Sequence, residues 1–450
     1  MKIIKFGGTS VGMPHRMHQV AKIINTTPGK KIVVLSALSG TTNALVEIGK
    51  YLTNHQPKEA IFIVDTLEDH YNAFVTDLLK KEQTIGLARQ TITSHFSFIR
   101  GLADGSFSEQ LNKELLAQGE LISTRLFYIY LQEIKTDAKL IPALDFMVID
   151  VDKEPIIPQI KENWQVLVRG VQSDTMITQG FICRNHLGEI DNLKRGGSDY
   201  SASLIGAAIG SDEIQIWTDI DGMHNNDPRV VKNTFPIEAL SFDEAAELAY
   251  FGAKILHPSS IWPAQKFNVP VRLKNTMMPD AKGTLITAEE LDKGIKAIAA
   301  KEGITAIKIK SSRMLLAHGF LRRIFEIFEK YKTSIDMITT SEVAVSVTID
   351  DQTYLDQIKQ ELDALGFVEV DSDMTIVCIV GSFVSEKKGV INKVINALKE
   401  IPIRMISYGG SRHNISVLIP SSYKNEALQL LNDGLFAELR ANVDHQEPVN

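Results

Sequence analysis

The chain opens Met1-Lys2-Ile3-Ile4-Lys5-Phe6-Gly7-Gly8-Thr9-Ser10-Val11-Gly12, and this stretch decides the fold. Ile3 to Phe6 is a short apolar run ending at a glycine pair, the pattern of a buried strand that runs into a loop. From about His15, the spacing of Met17, Val20, Ile23 and Ile24 predicts a helix with one apolar face. Lys31 to Ser36 reads as a second buried strand, Ala37 to Thr41 as a loop, and Leu45 with Ile48 as the face of the next helix. Strand, glycine or serine loop, helix, repeated in this order, predicts an α/β domain with a largely parallel sheet. The glycines would let a ligand approach the backbone closely, and their N–H groups suit phosphate oxygens, with Lys5 adding positive charge. Met13-Pro14 stands where a Walker A loop requires Lys and Ser/Thr, so this is not that motif. On spacing alone, a plain strand-to-helix turn accounts for the glycines equally well.

Residues 58–135 are mostly helical in pattern. The best-marked piece runs from Ser108 to Ile134, with Leu111, Leu115, Ile122 and Leu126 on one face. Gly119 inside it costs roughly 1 kcal/mol relative to alanine, which close approach of a ligand or another backbone would explain. Glu120 beside it reads either as a group facing that ligand or as an ordinary Glu on a solvated face. Strands are expected near Val166–Val168, Met176–Gln179 and Glu213–Asp219, and Ser241 with Glu244 forms a capping box for a helix through Ala249. Pro279, Gly283 and the charged stretch 289–293 mark a boundary. Beyond it Gly319-Phe320-Leu321 opens a helix that leads to Ile335-Asp336-Met337-Ile338, and Gly389-Val390-Ile391 opens one that leads to Ile403-Arg404-Met405-Ile406. An alternating strand follows each, Val343–Ile349 and Asn414–Ile419. Two copies of a βαββ-type unit, each too small for a deep core, should pack on one another rather than form a solenoid.

A chain of 450 residues is too long for one ordinary core, so two or three domains are expected. Hydrophobic content of 44% and charged content of 23% are those of a soluble globular protein. A formal net charge of −7 argues against nucleic-acid binding as the main function. The two cysteines, Cys183 and Cys378, are far apart and outside any metal-ligand spacing, which fits a reducing compartment without structural disulfides or zinc. There is no secretory signal pattern, and no apolar run approaches the ~18 residues that span a bilayer. A cytoplasmic location without membrane attachment is expected.

Three more constellations stand at loop positions. Arg195-Gly196-Gly197-Ser198-Asp199-Tyr200 precedes a helix rich in small residues, whose N-terminus favours an anion; Asp199 could equally be a capping carboxylate. Trp217-Thr218-Asp219-Ile220-Asp221-Gly222 and Asn225-Asn226-Asp227-Pro228-Arg229 follow a strand, at the edge where α/β proteins bind nucleotides, though Asp-Pro also marks ordinary turns. In Phe251-Gly252-Ala253-Lys254-Ile255-Leu256-His257-Pro258, Lys254 lies at a helix C-terminus, where it could simply complement the dipole, and His257 reads as a packed or capping residue.

With Ser36-Ala37-Leu38-Ser39-Gly40-Thr41-Thr42-Asn43, these motifs make the chain resemble the aspartate kinases of the amino-acid kinase superfamily over essentially its full length. Lys5 to Val11 is the most specific of them. The resemblance implies a three-layer αβα (carbamate kinase-like) catalytic domain over 1–290, followed by two ferredoxin-like βαββαβ ACT units at 291–375 and 376–450, with 295–300 a candidate strand of the second sheet. It implies a monofunctional enzyme that uses ATP, with Mg²⁺ carried mainly by its phosphates, to phosphorylate L-aspartate.

By the same resemblance Lys5 and Asp199 are catalytic, Lys5 on the phosphates and Asp199 orienting it. Ser36, Thr42, Glu120, Arg195 and Ser198 would hold aspartate, Glu120 on the α-ammonium and Arg195 on a carboxylate. Gly7, Gly8, Thr9, Thr218, Asp219, His224, Arg229, Lys254 and Ile255 would hold the nucleotide; relatives often carry tyrosine where His224 stands. No protein metal site is implied. Met314, Gly319, Phe320, Leu321, Ser334, Ile335, Asp336, Thr340, Ser341 and Glu342 match an effector site in lysine-inhibited relatives, although Leu316 and Ala317 replace more polar residues found in some. Lysine feedback and a homodimer, or a tetramer, through the ACT units are expected; a repeat that only mediates dimerisation is the plainer alternative.

Two other readings compete. A kinase acting on glutamate, acetylglutamate or UMP is disfavoured by the long helix bearing Glu120 and by the ACT-like pair. An amino-acid sensor with an inactive kinase domain is disfavoured because every charged position of the inferred site is intact. If Lys5 neutralises the phosphoryl group in flight, Lys5→Ala lowers kcat at least ~10²-fold in an ADP-release assay, whereas near-normal turnover would remove Lys5 from its role.

Overall fold

The computed structural model describes residues 1–193, 196–252, 256, 258–291, 294–311, 318–382 and 386–443. The chain divides into two units, residues 1–223 with 256–289, and residues 224–255 with 290–450.

In the first unit a parallel sheet is built around Lys2–Phe6. This strand lies between Lys31–Leu35 and Glu213–Thr218, parallel to both. Thr175–Gln179 and then Lys139–Leu140 extend the sheet on one side. Val271–Asn275 extends it on the other, followed by the antiparallel Thr284–Thr287. Side chains alternate across the sheet. Ile4, Phe6, Val33, Leu35, Ile177 and Trp217 join one core with the helices Pro14–Thr26, Thr41–Thr53, Pro57–Leu78, Glu82–Gly101 and Glu109–Glu133. Gly197–Ile209 packs on the strands as well, with Ile157–Leu167 and Pro258–Lys266 against it. Lys5 is one position from Phe6 and so points to the opposite face.

One expected strand is absent. Val166 and Leu167 end the helix Ile157–Leu167, and Val168 caps it. Ile160 and Trp164, one helical turn apart, are the residues it buries. The i, i+4 apolar pair overrides the β-branched run, and Val166 is left exposed. Gly119 is explained by packing: an added Cβ would stand 2.8 Å from the Ala37 Cβ, so glycine lets the helix Glu109–Glu133 close on the 36–40 loop.

The second unit carries one six-stranded sheet, in the order Ile338–Thr340, Ala344–Ile349, Ile295–Lys310, Phe367–Gly381, Asn414–Pro420, Met405–Tyr408. The two long central strands are antiparallel, with register shifts between Lys301 and Ala306. Ile304–Lys310 pairs with Phe367–Met374 and, through Thr305–Lys310, with Ala344–Ile349, whereas Ile295–Lys301 pairs with Ile376–Gly381. Each half has its own core, one under Phe320–Lys330, the other under Val390–Ala397 and Lys424–Val443. Gly319 and Gly389 sit at equivalent N-caps with φ of 80° and 82°, a conformation that favours glycine.

Residues 224–255, read from sequence as part of the 1–290 domain, group with this second unit. The side chain of buried Asn225 helps to hold them there: Nδ2 donates to the buried Asn432 Oδ1 at 3.0 Å, and Oδ1 accepts from the N–H of half-buried Phe235 at 2.8 Å. Ile298 N donates to Asn225 O, and Asn226 Nδ2 to Leu428 O. Both cysteines are free and buried, and no described helix is long and apolar enough to cross a membrane. Asn225→Ala strands buried donors and acceptors and should lower unfolding free energy by about 1–3 kcal/mol in urea titrations.

Candidate active site

Because six strands of the first sheet run parallel, their carboxyl ends share one edge. Phe6 registers with Leu35 and Trp217, Leu35 with Gln179, and Trp217 with Lys274. The loops that leave these positions, beginning at Gly7, Ser36, Gly180, Asp219 and Thr276, therefore fall together. They interlock through missing side chains. A Cβ on Gly12 would meet Ser39 Cβ at 2.6 Å, and one on Gly180 would meet Ser198 Cβ at 2.4 Å. A buried hydroxyl pair, Ser10 Oγ and Thr276 Oγ1 at 2.7 Å, ties the first loop to the end of Val271–Asn275.

Between the loops lies a cleft of about 240 Å³ lined by residues that include Gly8, Ser36, Thr42, Glu120, Gly197 and Ser198. Two helices start at it, Thr41–Thr53 after Gly40 and Gly197–Ile209 after Gly196, both N-caps in the left-handed region. Their free N–H groups and positive dipole ends suit carboxylate or phosphate oxygens. Lys5 Nζ meets Asp199 Oδ1 at 2.6 Å, with the lysine side chain only 9% exposed. Lys5 therefore reaches the face covered by Gly197–Ile209, where Asp199 stands in the first turn.

Glu120 supplies the opposite sign. It is buried, not solvated: Oε1 accepts the Ala37 N–H at 3.2 Å, and Oε2 has no hydrogen-bond partner among the described residues. Burial pushes its carboxyl up to about 7, against the Ala37 N–H and the Lys5 charge, which pull it down. Its helix is fixed from behind. Thr124 Oγ1 donates to Glu120 O and receives Gln179 Nε2, and Ser123 Oγ donates to Ser36 O. Tyr71, fully buried, shares a 2.9 Å hydrogen bond with Thr41, and burial raises its phenol so that it stays protonated. One carboxylate, one ammonium and two helix N-termini can bind a small molecule carrying both an ammonium and carboxylates.

Of the residues expected from sequence, Lys5, Asp199, Gly7, Gly8, Ser36, Thr42, Glu120 and Ser198 are brought to this edge. Thr9 is next to them, its carbonyl accepting from Arg16 Nη1. Thr218 ends its strand with Oγ1 turned back on the Ile220 N–H, and Asp219 follows, exposed. His224 and Arg229 belong to the second unit. His224 Nδ1 is 3.0 Å from Thr234 Oγ1, and exposed Arg229 forks onto Asp227 at 2.9 and 2.8 Å. Arg195, Lys254, Ile255 and Met314 lie outside the described residues, as do His257, Leu316 and Ala317.

Of the remaining effector candidates, Phe320 is core, and Gly319, Leu321, Ser334, Thr340, Ser341 and Glu342 are exposed. Ile335 is half-buried, and the Asp336 side chain is fully buried. Sequence reading missed Phe181, which lines the cleft at φ 66° with its N–H held by Ser201 Oγ. The preceding Gly180 at a strand end was the available signal. Nothing in the sequence flagged Tyr71, Gln179 or Thr276, whose partners are distant in the chain.

A family model described as the amino acid kinase family matches residues 1–275, and one described as an ACT domain matches residues 377–435. Lysine-sensitive aspartokinase 3 of Escherichia coli (strain K12) is 34% identical over 96% of this chain and 99% of its own length. This chain belongs to the aspartokinase family. Among solved structures, E. coli aspartokinase III with aspartate and ADP, in its R-state, superimposes with a TM-score of 0.80 at 34% identity, over 97% of this chain and 100% of that one. The T-state complex of the same enzyme with lysine and aspartate gives 0.81 at 34% identity, covering 97% and 99%. The three-layer domain followed by paired ACT units is thus the architecture of this family.

The raised Glu120 carboxyl has a measurable consequence. In the unfolded chain it titrates near 4.5, in the fold near 7. The fold thus favours the protonated group, and that advantage is present below the unfolded value and lost as pH rises through the folded one. Between pH 5 and 8 the wild-type chain should lose up to about 3 kcal/mol relative to Glu120→Gln in paired urea titrations.

Proposed function

We propose that this aspartokinase transfers the γ-phosphoryl group of ATP to the side-chain carboxylate of L-aspartate, giving ADP and 4-phospho-L-aspartate, the entry step of aspartate-family amino-acid biosynthesis. The observation that carries the reading is the gathering of opposite charges at one sheet edge: buried Glu120 and two helix N-termini line the cleft, and the Lys5 ammonium, paired with Asp199, acts on the Glu120 carboxyl. Aspartate brings one ammonium and two carboxylates, the complement of that set. The ammonium meets Glu120 Oε2, and Ser36, Thr42, Ser198 and Arg195 take the carboxylates.

The nucleophile is a carboxylate, already ionised at neutral pH. No proton has to be removed from it, so Asp199 is not a general base; it holds the Lys5 ammonium in place. Lys5, with the N–H groups of Gly7, Gly8 and Thr9, neutralises charge on the phosphoryl group in flight, and catalysis rests on in-line positioning and charge stabilisation. The nucleotide is held by Thr218, Asp219, His224, Arg229, Lys254 and Ile255. Among the described residues no three His, Cys, Asp or Glu side chains converge as a metal cage. Mg²⁺ would be carried mainly by the phosphate oxygens of ATP and water, and there it would supply further charge neutralisation.

The catalytic domain spans 1–290. The ACT-like units 291–375 and 376–450 are regulatory, bind lysine at the 314–342 segment and form a homodimer. The site is cytoplasmic. Rate measurements of ADP release, with hydroxylamine trapping of the acyl phosphate, decide the substrate: aspartate should support turnover at least ~10²-fold above glutamate, acetylglutamate or UMP, and equal rates with any of these would overturn the assignment. Because only ionised Glu120 attracts an ammonium, KM for aspartate should also fall as pH rises from 6 to 8.

A further inference from the structure

Part of the cleft lining hangs on a hairpin that cannot hold itself. Ile182–Arg184 and Ile190–Asn192 form a separate two-stranded sheet, and an isolated pair of strands is marginal in water. Its far end is held by Arg184, which donates to the carbonyls of Met147 and Leu144. Its near end meets the cleft. The first strand follows directly on Phe181, which lines the cleft, and Leu193, just after the second, donates its N–H to Phe181 O at 2.7 Å. Phe181 is packed in turn on the start of Gly197–Ile209: its own N–H donates to Ser201 Oγ, and a Cβ on Gly197 would stand 3.3 Å from its ring. Where the hairpin sits therefore decides where Phe181, Gly197 and Ser198 sit.

The second strand of the hairpin is fixed to the helix Glu109–Glu133. Lys113 Nζ meets Asp191 Oδ2 at 2.7 Å, with the two side chains only 19% and 6% exposed. Gln110 Nε2 donates to Ile190 O at 2.9 Å, and Asn192 Nδ2 to Lys113 O at 3.4 Å. Gln110 and Lys113, three residues apart, share one helix face. Asp191 Oδ1 accepts the Asn192 N–H, so both carboxylate oxygens are engaged. Cys183, opposite Asp191 in the register, has its thiol pushed up to about 12 by burial and by the Asp191 charge, so it stays a neutral neighbour. Glu120 stands two turns beyond Lys113, about 10 Å along the same helix. One helix thus carries both the carboxylate in the cleft and the lysine that holds the hairpin. A buried ion pair gives little net stability after desolvation. What it gives is a fixed length and direction.

We propose that Lys113 and Asp191 are positioning residues that set the span between Glu120 and the Phe181–Ser198 lining, and with it the length of amino dicarboxylate that the cleft accepts. This rests on the aspartate reading given above, and adds what fixes the spacing. Neither residue lines the cleft. They act through the hairpin: with the pair in place, an ammonium at Glu120 and a carboxylate at the helix N-terminus after Gly196 are held at one separation. With the pair removed, the hairpin and the lining attached to it shift against Glu120, and the two ends of the substrate are no longer met together.

The test uses the full-length chain as wild type, as the double variant Lys113→Met with Asp191→Asn, and as Lys113→Arg. The double variant removes both charges at nearly constant volume, so no buried charge is left unpaired and the fold is retained. ADP release is measured against aspartate, L-glutamate and ATP. In the double variant KM for aspartate should rise at least about 10-fold, the worth of one hydrogen bond to a charged group, while KM for ATP stays within about 2-fold. The preference for aspartate over glutamate in kcat/KM should narrow at least about 5-fold, because a loosened span discriminates less against one added methylene. Lys113→Arg keeps the charge pair and should hold KM for aspartate within about 3-fold of wild type. KM for aspartate within about 2-fold of wild type in the double variant, an equal rise in KM for ATP, or an unchanged aspartate-to-glutamate ratio overturns the positioning role and leaves the aspartate reading standing. A wild-type chain that does not turn over aspartate overturns both.

Discussion

The ion pair between Lys5 and Asp199 is the constraint on which the catalytic unit depends. A lysine only 9% exposed cannot remain charged without a partner, and its partner must come from whatever covers that face of the sheet. The first turn of Gly197–Ile209 meets that need. It can approach because Gly180 leaves room for Ser198, and the first loop can lie against the second because Gly12 leaves room for Ser39. Charge pairing and close backbone approach thus select the same arrangement, with the loops at the carboxyl edge drawn into one cleft.

Glu120 shows the converse use of burial. A carboxylate driven up to about 7 is costly to keep ionised, and the structure holds it with one N–H donor and the Lys5 charge rather than a full complement of partners. Such a group is completed by a cationic ligand, and the deficit that weakens the empty fold becomes affinity for the ammonium. The surrounding bonds from Ser123, Thr124, Gln179 and Tyr71 keep the backbone of this helix fixed while its carboxylate remains under-satisfied.

The division of the chain follows buried polar bonds. Asn225 and Asn226 would be solvent-facing turn residues in a nucleotide loop read on its own. Here both amides are buried and bonded to Lys424–Val443, which groups residues 224–255 with the second compact unit. Apolar packing points the same way: Val230, Val231 and Phe235 join the core under Val390–Ala397 and Lys424–Val443, with the Phe235 ring edge-on to Phe436. Hydrogen bonds add direction, because each buried amide must find a matching partner.

The sequence by itself determined the element order, the parallel sheet, the two glycine-capped regulatory repeats and the capping box at Ser241, because each follows from local spacing and backbone preference. It also marked the residues that reach the cleft from glycine loops. What it left open depended on partners far along the chain. Whether Glu120 was solvated or buried turned on Ala37, 83 residues away. Val166 reads as strand until Ile160 and Trp164 are buried, and Tyr71, Gln179 and Thr276 carry no local mark at all. Burial, charge pairing and the closeness of two backbones are properties of the folded chain, and only the tertiary structure could decide them.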